Sequence, residues 1–440
     1  MTGTHLDAVR VDVAVIGAGP AGIAAAAMIA ERGRRVAVLD ESVEVGGQIW
    51  RHRREAQPPA AARRWIRRLE RSGATVFRES AVVDVRDDTA ADRFAITAER
   101  GVCPLLVNAT TLVLATGARE RFLPFPGWTL PGVVGVGGAQ ALLKSGLDVS
   151  GRRVVIAGSG PLLLPVAASL TASGARVVRV AEQAPRRHVR AFALGLWRRP
   201  SSLAQAARYR LAFARTPYAL GEWVSAARGN GRVEEVTITD GRTTRTIACD
   251  LLAVAYGLVP NTRLARLIGC RTELGAVVVD SHQRTSHPRA YSIGEATGVG
   301  GVDLALVEGQ VAASHIVGQP PPRSITRRRD SLRAMAAVMD VTFAPRDELR
   351  DAVTADTIVC RCEDVPFGAL RAGWTMRQAK LYTRAGMGPC QGRVCGAALE
   401  FLHGWPADSV RTPVEPALLS SILAEGADLA APPRTQGVSR

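Results

Sequence analysis

A chain of 440 residues, 47% apolar and 22% charged, is too long for one ordinary domain and too apolar to be disordered, so two or three domains are expected. Its formal net charge of +16 is almost all arginine, clustered at Arg51–Arg54, Arg63–Arg71 and Arg186–Arg199; these could attract an anionic surface or an acidic partner, but no nucleic-acid module accompanies them, and nucleic acid is not expected. Seven cysteines without an export signal argue against a disulfide framework, and no apolar run approaches the roughly twenty residues of a membrane span, so a cytoplasmic protein without an integral membrane segment is expected.

The first apolar run, Val11 to Ile16, leads into Gly17-Ala-Gly19-Pro20-Ala21-Gly22, an Ala-rich helix and a second apolar strand ending at Asp40. Thr111 to Gly117 reads as a strand with a small-residue turn, Ala115-Thr116-Gly117, and Pro124 to Gly138 as a crossing loop between domains. The opening pattern then recurs. Arg153 to Ala157 is a strand, Gly158-Ser-Gly160-Pro a turn, the helix runs to about Ser173, and Ala175 to Val180 is the next strand. Two such βαβ units predict an α/β fold with two Rossmann-like dinucleotide-binding domains. Later come the turn Gly294-Glu295 and a helix with small residues on one face, Leu304 to Val317. Pro320-Pro-Pro-Arg-Ser reads as a linker, a cysteine segment spans about Thr357 to Gly404, and a Pro/Ala-rich tail closes the chain.

In the first unit each residue type has a physical role. Gly17 lets the chain turn sharply after the strand, Gly19 lets the backbone approach a pyrophosphate, and Gly22 lets the helix pack against the strand. The helix N-terminus presents N–H groups to phosphates, and Asp40, about twenty residues on, is placed to accept from ribose hydroxyls.

With Gly46-Gly47-Gln48, the Ala115-Thr116-Gly117 turn and the late Gly294-Glu295, the region from about 11 to 317 resembles the two-dinucleotide-domain flavoproteins of the glutathione/thioredoxin reductase type. The resemblance implies FAD in the first unit, with contacts at Gly17, Gly19, Pro20, Ala21, Gly22, Asp40, Glu41, Gly47, Gln48, Val83, Ala115, Thr116, Gly117, Gly294 and Glu295. Glu295 stands where that family usually has Asp, which leaves another adenine nucleotide open. The second unit, with Gly158 and Gly160, implies either NAD(H) or a retained fold that no longer binds. Leu163 replaces the third glycine, and Ala181 holds the expected acid position with Glu182 beside it. Cys103, Cys249 and Cys270 are isolated and read as buried small hydrophobes, so the redox cysteine pair of the disulfide reductases is not found. His282 and His287 flank Arg284 in an expected loop, and no residue stands out as catalytic.

Cys360, Cys362, Cys390 and Cys395 form two tight pairs that suit two irons, with glycines around the second pair. Four thiolates also suit tetrahedral zinc, although neither pair has the usual Cys-x-x-Cys spacing. The run from Lys380 to Cys395 resembles a bacterioferritin-associated-ferredoxin-like 2Fe–2S domain in its flavoprotein-fused form. The expected division is an FAD domain at 1–125 and 275–325, a second dinucleotide domain at 126–274, a small helical 2Fe–2S domain at 350–405 and a tail at 406–440.

That combination, with the Pro124–Gly132 and Gly138–Lys144 segments, is similar to the larger subunit of opine oxidase, hydroxyproline dehydrogenase and hydrogen cyanide synthase. The resemblance implies an amine oxidase-like FAD partner that oxidises substrate, at times with a small ferredoxin-like subunit. This chain would then relay electrons from the partner flavin through FAD and the cluster. Two alternatives stand beside it: a self-contained NAD(P)H-dependent reductase, and a non-catalytic redox sensor or scaffold.

Overall fold

The computed structural model describes residues 8–51, 57–406 and 410–429. β1 (Val9–Ile16), α1 (Pro20–Ala30) and β2 (Val36–Leu39) form the first βαβ unit, with Val13 opposite Val36 in a parallel pair. All four residues of β2 are buried, as expected for an unbroken apolar strand covered on both faces. α2 (Ala60–Arg71) leads to β3 (Thr75–Phe77), which extends this sheet. β4 (Ser80–Asp88), β5 (Arg93–Arg100) and β6 (Cys103–Leu114) form an antiparallel meander, and β6 also runs parallel to β1.

The chain leaves through β7 (Ala118–Glu120) and builds a second parallel sheet. Its elements are β8 (Val133–Val134), α3 (Val136–Lys144), β9 (Arg153–Ser159), α4 (Leu163–Ala172), β10 (Arg176–Glu182), α5 (Arg186–Gly195), α6 (Pro200–Ala212) and β11 (Tyr218–Leu220). A three-stranded antiparallel sheet follows, β12 (Trp223–Arg228), β13 (Glu235–Thr239) and β14 (Thr244–Ala248), and β15 (Leu251–Tyr256) then completes the order β11-β10-β9-β15-β8. β16 (Leu258–Pro260) lies antiparallel to β7, so the exit and return strands of the second unit are side by side.

α7 (Arg263–Leu267) already belongs to the first core, where Leu264, Ala265 and Cys270 pack with Ile16, Leu39 and Leu114. After the hairpin β17 (Thr272–Glu273) and β18 (Ala276–Val277), β19 (Ala290–Ser292) joins β6 in parallel. α8 (Gly301–Ile316) crosses close over α1. A Cβ on Gly309 would sit 2.4 Å from the Ala21 carbonyl oxygen, so only glycine allows this approach.

The proline linker is short and opens directly into α9 (Arg323–Thr342), a 20-residue helix that the sequence does not announce. The cysteine segment folds as β20 (Ile358–Cys360), β21 (Val365–Pro366), α10 (Met376–Thr383) and α11 (Cys395–His403) around Val359, Leu370, Ala379, Leu399 and Trp405. Thr375 and Gln378 close a capping box at the start of α10. The tail is not merely irregular: Val414 enters the first core and α12 (Leu419–Leu429) packs on β5 and β6. Among the described residues no helix is long and apolar enough to cross a membrane.

Candidate functional site

The first glycine turn is built by steric necessity. Gly17 has φ +105°, and a Cβ there would lie 2.3 Å from the Ala115 carbonyl oxygen; a Cβ on Gly22 would lie 1.9 Å from that of Gly17. At Gly19 an added Cβ meets nothing within 4 Å. The turn is therefore sealed on the strand side and open outward, at the N-terminus of α1, which begins at Pro20 and has no side-chain cap. Uncapped N–H groups facing open space form an anion site.

Asp40 holds this turn together. Its carboxylate accepts from the N–H of Ala18 and from the N–H of Ser42 (2.8 Å). Gly47 folds over the turn, its Cβ direction 3.1 Å from Gly19 Cα, and the Gly46 N–H donates to the Ala18 carbonyl (2.7 Å). Glu41 and Gln48 are exposed beside it. The late turn meets the same place: a Cβ on Gly294, φ +69°, would come 2.9 Å from Ala21 Cβ. Glu295 is half-buried, and burial raises its carboxyl above the usual range against the Gly301 N–H. Gly17, Gly19, Pro20, Ala21, Gly22, Gly47, Ala115 and Gly294 thus come together.

Val83 is a buried residue of β4 whose carbonyl accepts from the Val414 N–H (2.9 Å). Thr116 and Gly117 turn toward β16: the Thr116 hydroxyl donates to the Asn261 carbonyl (2.6 Å) and the Asn261 N–H to that of Gly117 (2.9 Å). Two residues had no sequence signal. Glu308 on α8, 1% exposed, accepts from the Gly294 N–H (2.8 Å) and the Thr297 hydroxyl (3.0 Å), and pairs with Arg333 of α9 at 2.9 Å.

The second turn repeats the construction and differs in what covers it. Gly158, φ +134°, abuts the Ala255 carbonyl oxygen, 1.8 Å from its Cβ direction. Glu182 takes the part Asp40 has in the first unit, accepting from the N–H of Gly160 (2.7 Å) and of Ala184 (2.8 Å). It is wholly buried, and desolvation pushes its carboxyl up to about 7. Over this turn lies the chain's own segment beyond α9. The Ser159 hydroxyl donates to the Phe343 carbonyl (2.6 Å), Gln183 Nε2 to that of Ala344 (2.9 Å), and the Arg346 N–H to Gln183 Oε1 (3.2 Å). Phe343 stands 4.0 Å from the Cβ direction of Gly160. Leu163 is buried in the core of this sheet.

The four cysteines of the C-terminal segment are brought into one set by β20, the loop before α11 and the start of α11. Their side chains lie near enough to interact in the order Cys360, Cys395, Cys390, Cys362. The Cys395 contact draws Cys360 down to about 6 and Cys390 below the ordinary thiol range, while Cys395 itself is pushed up. The Gly386 N–H points at Cys360 Sγ (3.5 Å), and a Cβ on Gly388 would lie 2.3 Å from that of Cys362. Among the described residues no group of three or more His, Cys, Asp or Glu side chains is placed to hold a metal ion. Cys249 and Cys270 are buried as expected of small hydrophobes, whereas Cys103 is exposed at the start of β6, where the strand emerges from the sheet.

Residues 11–315 match the model of the pyridine nucleotide-disulphide oxidoreductase family. The chain belongs to that family. As such it is an FAD-dependent oxidoreductase. A subunit of the opine oxidase of Rhizobium meliloti (strain 1021) is 34% identical over 96% of this oxidoreductase and 99% of its own length. The HcnB subunit of hydrogen cyanide synthase from Pseudomonas aeruginosa is 32% identical over 87% and 90%. In fold, L-proline dehydrogenase from P. horikoshii superposes with a TM-score of 0.70 at 21% identity, covering 94% of this oxidoreductase and 80% of that chain. Thioredoxin reductase of T. acidophilum does so with 0.55 at 23%, covering 70% and 98%.

Proposed function

We propose that this chain is the electron-transferring subunit of a multi-subunit amine or imino-acid dehydrogenase or oxidase, acting on opine-, hydroxyproline- or glycine-like substrates. Substrate would be oxidised in an amine oxidase-like flavoprotein partner, at times joined by a small ferredoxin-like chain. FAD in the first unit and a 2Fe–2S cluster on Cys360, Cys362, Cys390 and Cys395 would carry the electrons. The relatives from opine oxidase and hydrogen cyanide synthase are themselves subunits by name, and both match nearly end to end.

One observation carries the reading: the loop that bears Cys390 and Cys395, whose thiols interact with those of Cys360 and Cys362, is docked on the segment that continues from the flavin-side turn. Arg119, just beyond Gly117, donates from Nε to the carbonyl of Arg393, between Cys390 and Cys395 (2.9 Å). FAD exchanges electrons in pairs or singly, which suits exchange with a one-electron centre. A 2Fe–2S cluster takes two thiolates on each iron, so a set of thiols strung in sequence suits it better than a single ion does. The donor set is all thiol, and the Gly386 N–H aimed at sulfur is the polar contact such clusters receive.

The chain's own residues also weigh against the NAD(P)H-dependent alternative. Phe343 to Arg346 lie over the second turn, where a dinucleotide would approach. Anaerobic purification with iron, zinc and flavin analysis tests the assignment. Two irons and one FAD per chain, with no bleaching of the flavin by NADH or NADPH alone, is the expected result. Zinc in place of iron, or rapid reduction by either nicotinamide, overturns it.

A further inference from the structure

Arg119 fastens the flavin-side turn to the cysteine loop, and its surroundings are unusual for a cation. It lies on β7, half-buried, and its hydrogen bonds all go to neutral oxygens: the Arg393 carbonyl at 2.9 Å, Asn261 Oδ1 at 3.0 Å and the Pro260 carbonyl at 3.5 Å. Asn261 continues the connection, donating from Nδ2 to the Thr116 carbonyl (2.9 Å) and from its backbone N–H to that of Gly117 (2.9 Å). An unbroken run of hydrogen bonds therefore joins the turn after β6 to the peptide between Cys390 and Cys395.

Two more guanidinium groups stand close to Arg119, those of Arg263 and Arg393, and Cys390 is near enough to interact with it electrostatically. Arg263 and Arg393 share one carboxylate, Glu415 of the tail, at 3.6 and 2.6 Å. The Nη1 of Arg263 is buried and makes no hydrogen bond. Besides Glu415, the carboxylates of Glu400, near Arg119, and Glu41, near Arg393, share this field, and partly buried cations gathered in this way are stabilised further by any negative charge supplied beside them. The group facing them is the thiol set, which becomes negative when its cysteines ligate metal.

We propose that Arg119 couples the two redox sites: its charge favours the reduced, more negative form of the cysteine centre, and its planar fork holds the cysteine loop at a fixed distance from the flavin-side turn. This rests on the 2Fe–2S assignment above. Each electron taken from reduced flavin adds one negative charge to the centre beside Arg119, and the electron leaves to a one-electron acceptor, so no proton need move at this residue. Lysine keeps the charge and loses the fork, whereas methionine loses both.

The test uses the full chain, purified anaerobically as wild type, Arg119→Met and Arg119→Lys. Iron content and a potentiometric titration of the iron–sulfur signal are read on each. Arg119→Met is expected to keep its iron and to shift the reduction equilibrium about tenfold toward the oxidised form, a fall of ~59 mV for one electron. Arg119→Lys is expected to keep the wild-type potential but to slow electron transfer from reduced flavin to the centre at least tenfold. Equal iron with an unmoved potential in Arg119→Met overturns the proposal and leaves the cluster assignment standing. Should Arg119→Met fail to fold, Arg119→Lys decides, because unslowed transfer in that variant overturns the coupling role. Wild-type protein that holds zinc or no metal overturns the cluster assignment, and the coupling role with it.

Discussion

Gly17 and Gly19 stand two positions apart and should fail in opposite ways when replaced by alanine. Gly19 has φ −72°, ordinary for any residue, and open space where its Cβ would be. Gly19→Ala should therefore fold with stability changed by no more than about 1 kcal/mol, and if anything gained, since alanine narrows the unfolded ensemble. Its methyl group, however, occupies the approach to the uncapped N-terminus of α1. Losing two charge-assisted hydrogen bonds to the FAD pyrophosphate, at about 1.5 kcal/mol each, weakens FAD binding roughly hundredfold. Gly17→Ala faces a left-handed φ of +105° and a carbonyl oxygen 2.3 Å from the new Cβ, which together cost about 3 kcal/mol or more in the apoprotein. Thermal melting of the flavin-free proteins, alongside titration of each with FAD, separates the two effects. A Gly19→Ala protein that binds FAD as tightly as wild type, or a Gly17→Ala apoprotein that melts with it, would refute the assignment of the turn.

Glu182 makes stability depend on pH in a defined direction. Its carboxyl is raised from 4.5 to about 7 in the folded chain, so between those values unfolding releases a proton and stability falls as pH rises, by about 3 kcal/mol in all. Glu182→Gln should flatten that part of the urea-denaturation profile, and an equally steep fall in the variant would show the carboxyl is ionised throughout. Arg333→Leu strips the buried Glu308 of its ion pair and should cost about 2–3 kcal/mol. Because Glu308 holds the Gly294 N–H, FAD occupancy should drop with it. Unchanged melting would mean that Thr297 and Gly294 suffice to satisfy Glu308.

Both βαβ units could be read from the sequence because every determinant is local: an apolar strand, glycines at fixed spacing, a helix and a second strand. The four late cysteines stand out for the same reason, by local spacing. What escaped reading depends on partners far along the chain. α9 is polar and arginine-rich, with only Arg329, Ala336 and Thr342 buried; it is held by Arg333 reaching Glu308, an interaction no local pattern encodes. Val414 and Glu415 acquire their roles only against Val83, Arg263 and Arg393. Glu182 was visible, but one position beyond the expected acid, and its longer side chain makes up the difference in reach. Cys103 looked like another small buried residue, and only the pairing of β6 places it at an exposed strand end.

The two turns share a glycine after the strand and an acid that accepts two backbone N–H groups, so the acid alone does not decide whether a nucleotide is bound. What separates them is the segment after α9. Beside Gly19 a Cβ would meet open space, while over Gly160 stands Phe343, held by the Ser159 hydroxyl on its carbonyl and by edge contact with Phe192 at 5.3 Å, with Ala344 and Arg346 after it bonded to Gln183. A covalently tethered occupant competes at an effective concentration in the millimolar range or above, and a free nicotinamide would also have to break those contacts. On the proposed reading the second unit has exchanged a substrate site for a socket. The socket anchors the end of α9 at Thr342, and the cysteine segment, which begins about fifteen residues later at Ile358, carries the loop that meets Arg119. On that same reading, a chain supplied with electrons by a partner flavin would have no need of nicotinamide but would need its two redox sites held at a constant separation, which the filled turn would serve.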